Sequence, residues 1–446
     1  MMNRQMEAAI ATVRFGMGAR PGEISTAASD PRGWLAEQMM STAPVSSDMA
    51  SLEPSHQLVS QLQVAVRRDG VPGVITLLRE VYRPQYVREA VVRTAQAITT
   101  PSPFHERWVR FWSDHFTVTG KKPVIVGLAG GFEREAIRPN VGGRFVDLLL
   151  AVVRHPVMIL YLDNSRSFGP NTPAARYRNG GLNENLAREV LELHTLGVDG
   201  GYDQADVVSL ALMLTGWSLS PADGLGSGGG FHFHAAAHEP GERDLMGVRY
   251  ADEGVGQAEK ALRNLAAHPA TSRNIARELA RQFVSDSPLP EVVASLSRRF
   301  TETEGDLTQM ALALISMQPA WMPLTKLKTP DELVVSALRG VGADGADRAV
   351  LNALVELGQR PWMAPSPKGW PDTAEAWITP DRALRRVDFG AAVAERMDTV
   401  WPDPVVGALE MMGELYGPDT MTAISRAESP RQALALALTA PEFQRR

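Results

Sequence analysis

The chain has no cysteine among its 446 residues. That excludes disulfide frameworks, cysteine zinc sites, iron–sulfur clusters and thiol catalysis, and leaves the redox compartment open. There is no run of 18 apolar residues, so no segment reads as membrane-spanning. There is no lysine-rich run and no basic tail, and the formal net charge is −6. That balance argues against a general binder of nucleic acid or of anionic membranes. The opening stretch, "MMNRQMEAAIATVRFGMGARPG", holds only a short apolar run broken by Arg14, with no small-residue cleavage site behind it. It reads as carrying no signal peptide, and the expected location is cytoplasmic. The common catalytic templates are missing as well: no nucleophile elbow, phosphate-binding loop, dinucleotide fingerprint or HExxH occurs. Nothing marks a nucleotide, flavin or haem site.

What is present is an ordinary globular composition, 44% apolar and 22% charged. Most of the chain has helical periodicity interrupted at Gly and Pro. The expected fold is mainly α, a large multi-helix globular body. Strand-like alternation is confined to "GGGFHFHAAAH" and "LMGVRY", which predict a small β-hairpin near 229–250. The expected organisation is an N-terminal helical region over 1–217, a Gly-rich loop and hairpin over 218–254, and a C-terminal helical region over 255–446, together one unit. Within the last, residues 358–380 carry five prolines and three tryptophans. Long aperiodic loops in compact domains are usually functional or disordered. Tryptophans argue against disorder here, so Trp370 and Trp377 are expected to pack down on the body.

Three stretches hold candidate chemistry. "NENLAREVLELHTLG" predicts a helix over 182–196. On a helical wheel Glu184, Asn185, Arg188, Glu189 and Glu192 share one arc. The opposite arc holds Leu182, Leu186, Ala187, Val190, Leu191 and Leu193, with His194 in the middle of them, so His194 should point inward. The acidic arc reads either as a solvated face with i,i+4 pairing or, if covered, as an acid/base or metal-ligand pair of Glu189 and Glu192. Gly197 should stop the helix, and Asp203 with Asp206 should cap the next. "PSPFHERWVRFWSDHFTV" puts His105, Trp108, Phe111, Trp112 and His115 on one face, with Arg107 and Arg110 pointing elsewhere. "FHFHAAAHEPGER" supplies His232, His234 and His238, whose spacing weakly suggests a metal site.

Taken in order, "RFGMGARPGE" (14–23), "RFWSDHFTV" (110–118), "YLDNSRSFGPN" (161–171), "GLNENLAREVLELHTLGVDGGYDQADVVSLALMLTGWSL" (181–219), "HEPGERDLMG" (238–247), "HPATSRNIARELARQFV" (268–284), "KTPDELVVSALR" (328–339) and "SPKGWPDTAEAWITP" (366–380) resemble the domain of unknown function 1800 family of bacterial proteins. The resemblance covers nearly the whole chain and brings no established activity. It implies a pattern that keeps His115, Asn183, Glu184, Asn185, Arg188, Glu189, Glu192, His194, His238 and Glu239. It also implies export to the periplasm or beyond for many members, and a sulfatase-like neighbour of the domain of unknown function 1501 family as partner. Where relatives tend to carry histidine-asparagine-histidine, this chain has Ser113, Asp114 and His115.

Two functions compete on these grounds. One is a binding or assembly protein acting with a partner. The other is a hydrolase-like enzyme using His115, Glu189, Glu192, His194 and His238, with or without a divalent metal. Convergence of those side chains in one cleft would favour the second.

Overall fold

The computed structural model describes residues 3–177, 181–222, 224, 227–322, 324–396 and 401–446. Proline sets many of its helix starts. Pro31, Pro103, Pro156, Pro269, Pro330 and Pro430 each occupy the first turn of a helix. Its fixed φ suits that position and its missing N–H is not needed there. A side chain just before it often caps the exposed amides: Asp30, Thr329 and Ser429 do so, and so do His155 and His268 through Nδ1. Asp203 and Asp206 form the expected capping box.

The protein is mainly α, with two small antiparallel ladders among the described residues. The strands lie in and beside the region where one hairpin was predicted, but their pairing differs. Phe231–Phe233 pairs with Trp217–Leu219, and Arg243–Leu245 pairs with Val248–Tyr250. Met246 and Gly247 both have positive φ. That is the geometry of a two-residue hairpin turn, so "RDLMGVRY" closes on itself. "FHF" is left to pair back across the Gly-rich loop. No helix among the described residues is long and apolar enough to cross a membrane.

The Pro103–His115 helix is buried on nearly every side. Phe104, Trp108, Phe111 and Trp112 join Phe15, Phe283 and Trp321 in the aromatic heart of the main core. Its opposite face meets the Pro330–Gly340 helix. That second helix feeds separate clusters at once: Leu333 and Ala337 pack with Met411, Tyr416 and Leu434, while Val334 packs with Tyr86, Leu351 and Leu354. Arg107 and Arg110, left without an assigned environment by the sequence, are therefore enclosed between helices.

Candidate functional site

The Asn185 helix begins where Asn183 braces it. The Asn183 side chain accepts from the Asn185 amide and donates to the Leu162 carbonyl. After Glu189 the backbone widens into a π-turn over Val190–His194, closed by a bond from the Thr195 hydroxyl to the Val190 carbonyl at 2.6 Å. Such turns redirect side chains and recur at functional sites. Here the turn delivers His194 inward, as the wheel predicted, at 1% exposure.

His194 lies beside His115, ring centroids 6.4 Å apart, with Phe116 packed on it. His115 is fully engaged. Its Nδ1 is 2.6 Å from Glu278 Oε2 and its Nε2 is 3.3 Å from the His194 carbonyl oxygen. His194 Nδ1 has no hydrogen-bond partner. Burial, and then the neighbouring His115, push the His194 pKa down to about 3, so the ring stays neutral. Glu184 pairs with Arg188 at 2.9 Å at the surface. Glu189 and Glu192 are half-buried. Burial first, and then Glu192, raise Glu189 to about 7.

His238 sits in other surroundings. Its Nδ1 is 3.0 Å from the Thr215 carbonyl, its ring packs on Phe233, and Asp252 is 3.9 Å from Nε2. Glu239 beside it accepts from the backbone and side chain of Asn171. His232 and His234 are exposed, whereas His238 is turned inward. Among the described residues no group of three or more His, Asp or Glu is placed to hold a metal ion. The structure thus brings His115 and His194 together and adds Glu278, which the sequence did not single out, while His238 contacts Thr215 and Phe233 instead.

A cavity of about 110 Å³ lies instead under the 358–380 segment, against the outer side of the Pro103–His115 helix. The segment is a strap, tied along its length. Trp362 accepts at its carbonyl from the Gly120 amide, and Ala364 from the Thr119 hydroxyl. The Trp370 amide donates to Asp114 Oδ1 at 2.9 Å, and the Ala374 amide to Asp286. Trp377 is buried, and Trp370 lines the cavity with its ring 5.9 Å from that of Trp377. Both tryptophans pack down as expected.

Three arginines line this chamber, and each is already paired. Arg93 holds Glu133 at 2.8 Å, Arg107 holds Glu332, and Arg110 holds Asp331. Beneath them Arg138 takes Glu106 in a two-pronged pair at 2.6 and 3.0 Å. Burial alone would raise Glu106. Arg138, with Arg110 and Arg93, wins and draws it down to about 2. Asp114 differs: no cation pairs with it among the described residues. Burial raises its carboxyl to about 7. The Trp370 amide bond and the more distant Arg93 charge oppose that, and the charges of Asp372 and Glu278 add to it.

Gly369 makes the strap's closest approach. Its φ is +85°, and a Cβ there would come within 2.8 Å of both the Asp114 backbone oxygen and Oδ2. Gly369→Ala should therefore lift the strap locally and cost about 1–3 kcal/mol. Faster proteolytic cleavage within 358–380 would show it, and an unchanged cleavage rate would contradict it.

A family model described as a protein of unknown function (DUF1800) matches residues 10–445. No curated protein and no solved structure matches the chain.

Proposed function

The chain belongs to the DUF1800 family, whose function is unknown, and we propose that it is a binding protein that works with partners, its ligand site being the chamber beneath the tryptophan strap. The observation that carries this reading is the charge pairing of that chamber. Its arginines are spent on Glu133, Asp331 and Glu332, while Asp114 lines the cavity with no ion pair among the described residues, only the more distant charge of Arg93. A half-buried carboxylate without an ion-pair partner is costly, and a ligand's positive charge would relieve that cost. The Trp362 indole already carries the Arg93 guanidinium 5.2 Å from its ring centroid, which leaves the Trp370 indole as the neighbour for a ligand cation. The ligand class is a small molecule with a protonated amine, or an amine-bearing side chain inserted from a partner. By contrast His194, at about pKa 3, is a poor proton carrier near neutral pH.

The proposal has a pH signature. The Asp114 pKa is raised in the folded state, so the folded chain holds a proton that the unfolded chain releases near pH 3.8. Stability from this group is fully present below that value and is lost as pH rises towards about 7. Asp114→Asn should therefore be more stable than the parent at pH 8 and nearly equal to it at pH 4. Calorimetric titration with methylammonium and ethanolamine should give binding that strengthens from pH 6 to pH 8 and disappears in Asp114→Asn, with no binding of ethylene glycol. Equal amine binding by the variant, or none by the parent at pH 8, would remove the reading.

One observation favours the hydrolase alternative: Glu189 is half-buried beside Glu192 and titrates near 7, suitable for acid/base work. Ester- or glycoside-cleaving activity lost in Glu189→Gln and kept in Asp114→Asn would support it. The sulfatase-like partner suggested by the family resemblance would be tested by co-purification from the source cells.

A further inference from the structure

Two surfaces on different elements of the chain have complementary character. The first is a shoulder within the Ser55–Leu77 helix. Gly70 breaks the helix there with φ 59° and ψ −142°. The turn throws Val66, Val71 and Ile75 outward, at 55%, 73% and 59% exposure. The same stretch of chain carries exposed Arg67, Arg68, Arg79 and Arg83, against Asp69 and Glu80. Those two acids already pair with Arg68 and Arg79, so the shoulder keeps a positive surplus.

The second is a groove of about 910 Å³ between the Pro330–Gly340, Arg348–Glu356 and Pro380–Arg396 helices. Its apolar lining comes from Val334, Leu338, Val350, Leu357, Phe389 and Val393, and Leu384 stands at its lip at 61% exposure. Its charged lining is acidic: Asp344, Asp347, Glu356, Asp381 and Asp388 outnumber Arg385 and Arg396. Arg385 is already held by Asp381 at 2.9 Å, so the groove keeps a negative surplus.

Apolar surface rimmed by charge marks an association site, and a helical ridge laid in an apolar groove is a recurrent mode of recognition. We propose that the occupant of the groove is the Val66–Ile75 shoulder of a second copy of this chain. The contact is heterologous, ridge to groove, so each copy offers one of each and assembly extends by the same contact. Opposite charge around the two surfaces sets the orientation and makes association weaken with salt. This contact is independent of the amine chamber.

Sedimentation velocity on the full chain, from about 1 to 200 µM, tests it, a range that covers contacts with a dissociation constant of about 100 µM or tighter. The expected result is a mass that rises with concentration. Val71→Asp with Ile75→Asp should hold the chain monomeric, and so should Leu384→Asp. All three positions are exposed, so folding, checked by circular dichroism, is spared. The two monomeric variants mixed together should then form a dimer and nothing larger, because one retains the groove and the other the shoulder. A parent that stays monomeric throughout would overturn the proposal. So would variants that still self-associate, or a mixture that stays monomeric, which would indicate a symmetric contact instead.

Discussion

Replacing Glu332 by alanine should lower the unfolding free energy by about 3–5 kcal/mol, the cost of stripping a shared counter-ion from buried cations. Glu332 accepts from Arg107 on one oxygen and from Arg446 at 2.7 Å on the other, and that second oxygen also takes the Thr329 amide at 2.8 Å. Arg107 and Arg446 are both buried. Without the carboxylate, two guanidiniums face each other in an enclosed space. Burial works to raise the Glu332 pKa, but Arg107 and Arg446 pull it down to about 2. The sign follows directly: a depressed carboxyl adds stability in full above its ordinary pKa near 4.5, and that stability disappears as pH falls towards 2. The parent should lose more stability over this window than the variant, by the Glu332 share alone, since Glu106 titrates over the same range in both. Urea melts at pH 7 and pH 3 measure both. A variant within about 1 kcal/mol of the parent at pH 7 would show that the core repacks around the cations.

At the far end of the same helix, Arg339→Met should cost a similar amount, about 3–5 kcal/mol. Methionine keeps much of the side-chain bulk, so the loss is one of bonding. Arg339 is wholly buried. It donates to the Gly18 carbonyl at 2.7 Å and to the carbonyls of Ala97, Ile98 and Thr100. The last three close the Arg83–Thr99 helix, whose final carbonyls lack partners within the helix. Its second terminal nitrogen spans both oxygens of Glu23. The change would strip a donor from the Gly18, Ala97 and Thr100 carbonyls and the counter-ion from Glu23, while Ile98 keeps its bond from Arg20 and Glu23 keeps the Arg20 amide. Hydrogen exchange should quicken first at residues 94–100. Unchanged protection there would refute the capping role.

The helical character of the chain was legible because periodicity is local and breaks at Gly and Pro. The inward turn of His194 was legible for the same reason, since the apolar residues around it fix one face of a wheel. The π-turn that delivers the ring was not, because widening a single turn leaves no compositional trace. The chamber escaped for a different reason. Arg107 and Arg110 look like a wet face when read alone, and only the arrival of Asp331 and Glu332 turns that face into an interior. The signal that could have found it was the proline–tryptophan segment, too apolar to float free, together with charged residues on both sides of an aromatic helix. Glu278 lacked even that, because nothing along the chain marks it as the carboxylate that meets His115.

Arg107 and Glu332 stand 225 residues apart. At about 5–20 residues per second, a ribosome that has made the first needs roughly 10–45 seconds to make the second. Throughout that interval the Pro103–His115 segment holds its tryptophans and arginines in a half-built chain, with Asp331 and Glu332 still to be added. The main body cannot close around that helix before the distal one is released. The pairing of Arg107 and Arg110 with Glu332 and Asp331 therefore comes late, when the Pro330–Gly340 segment leaves the exit tunnel.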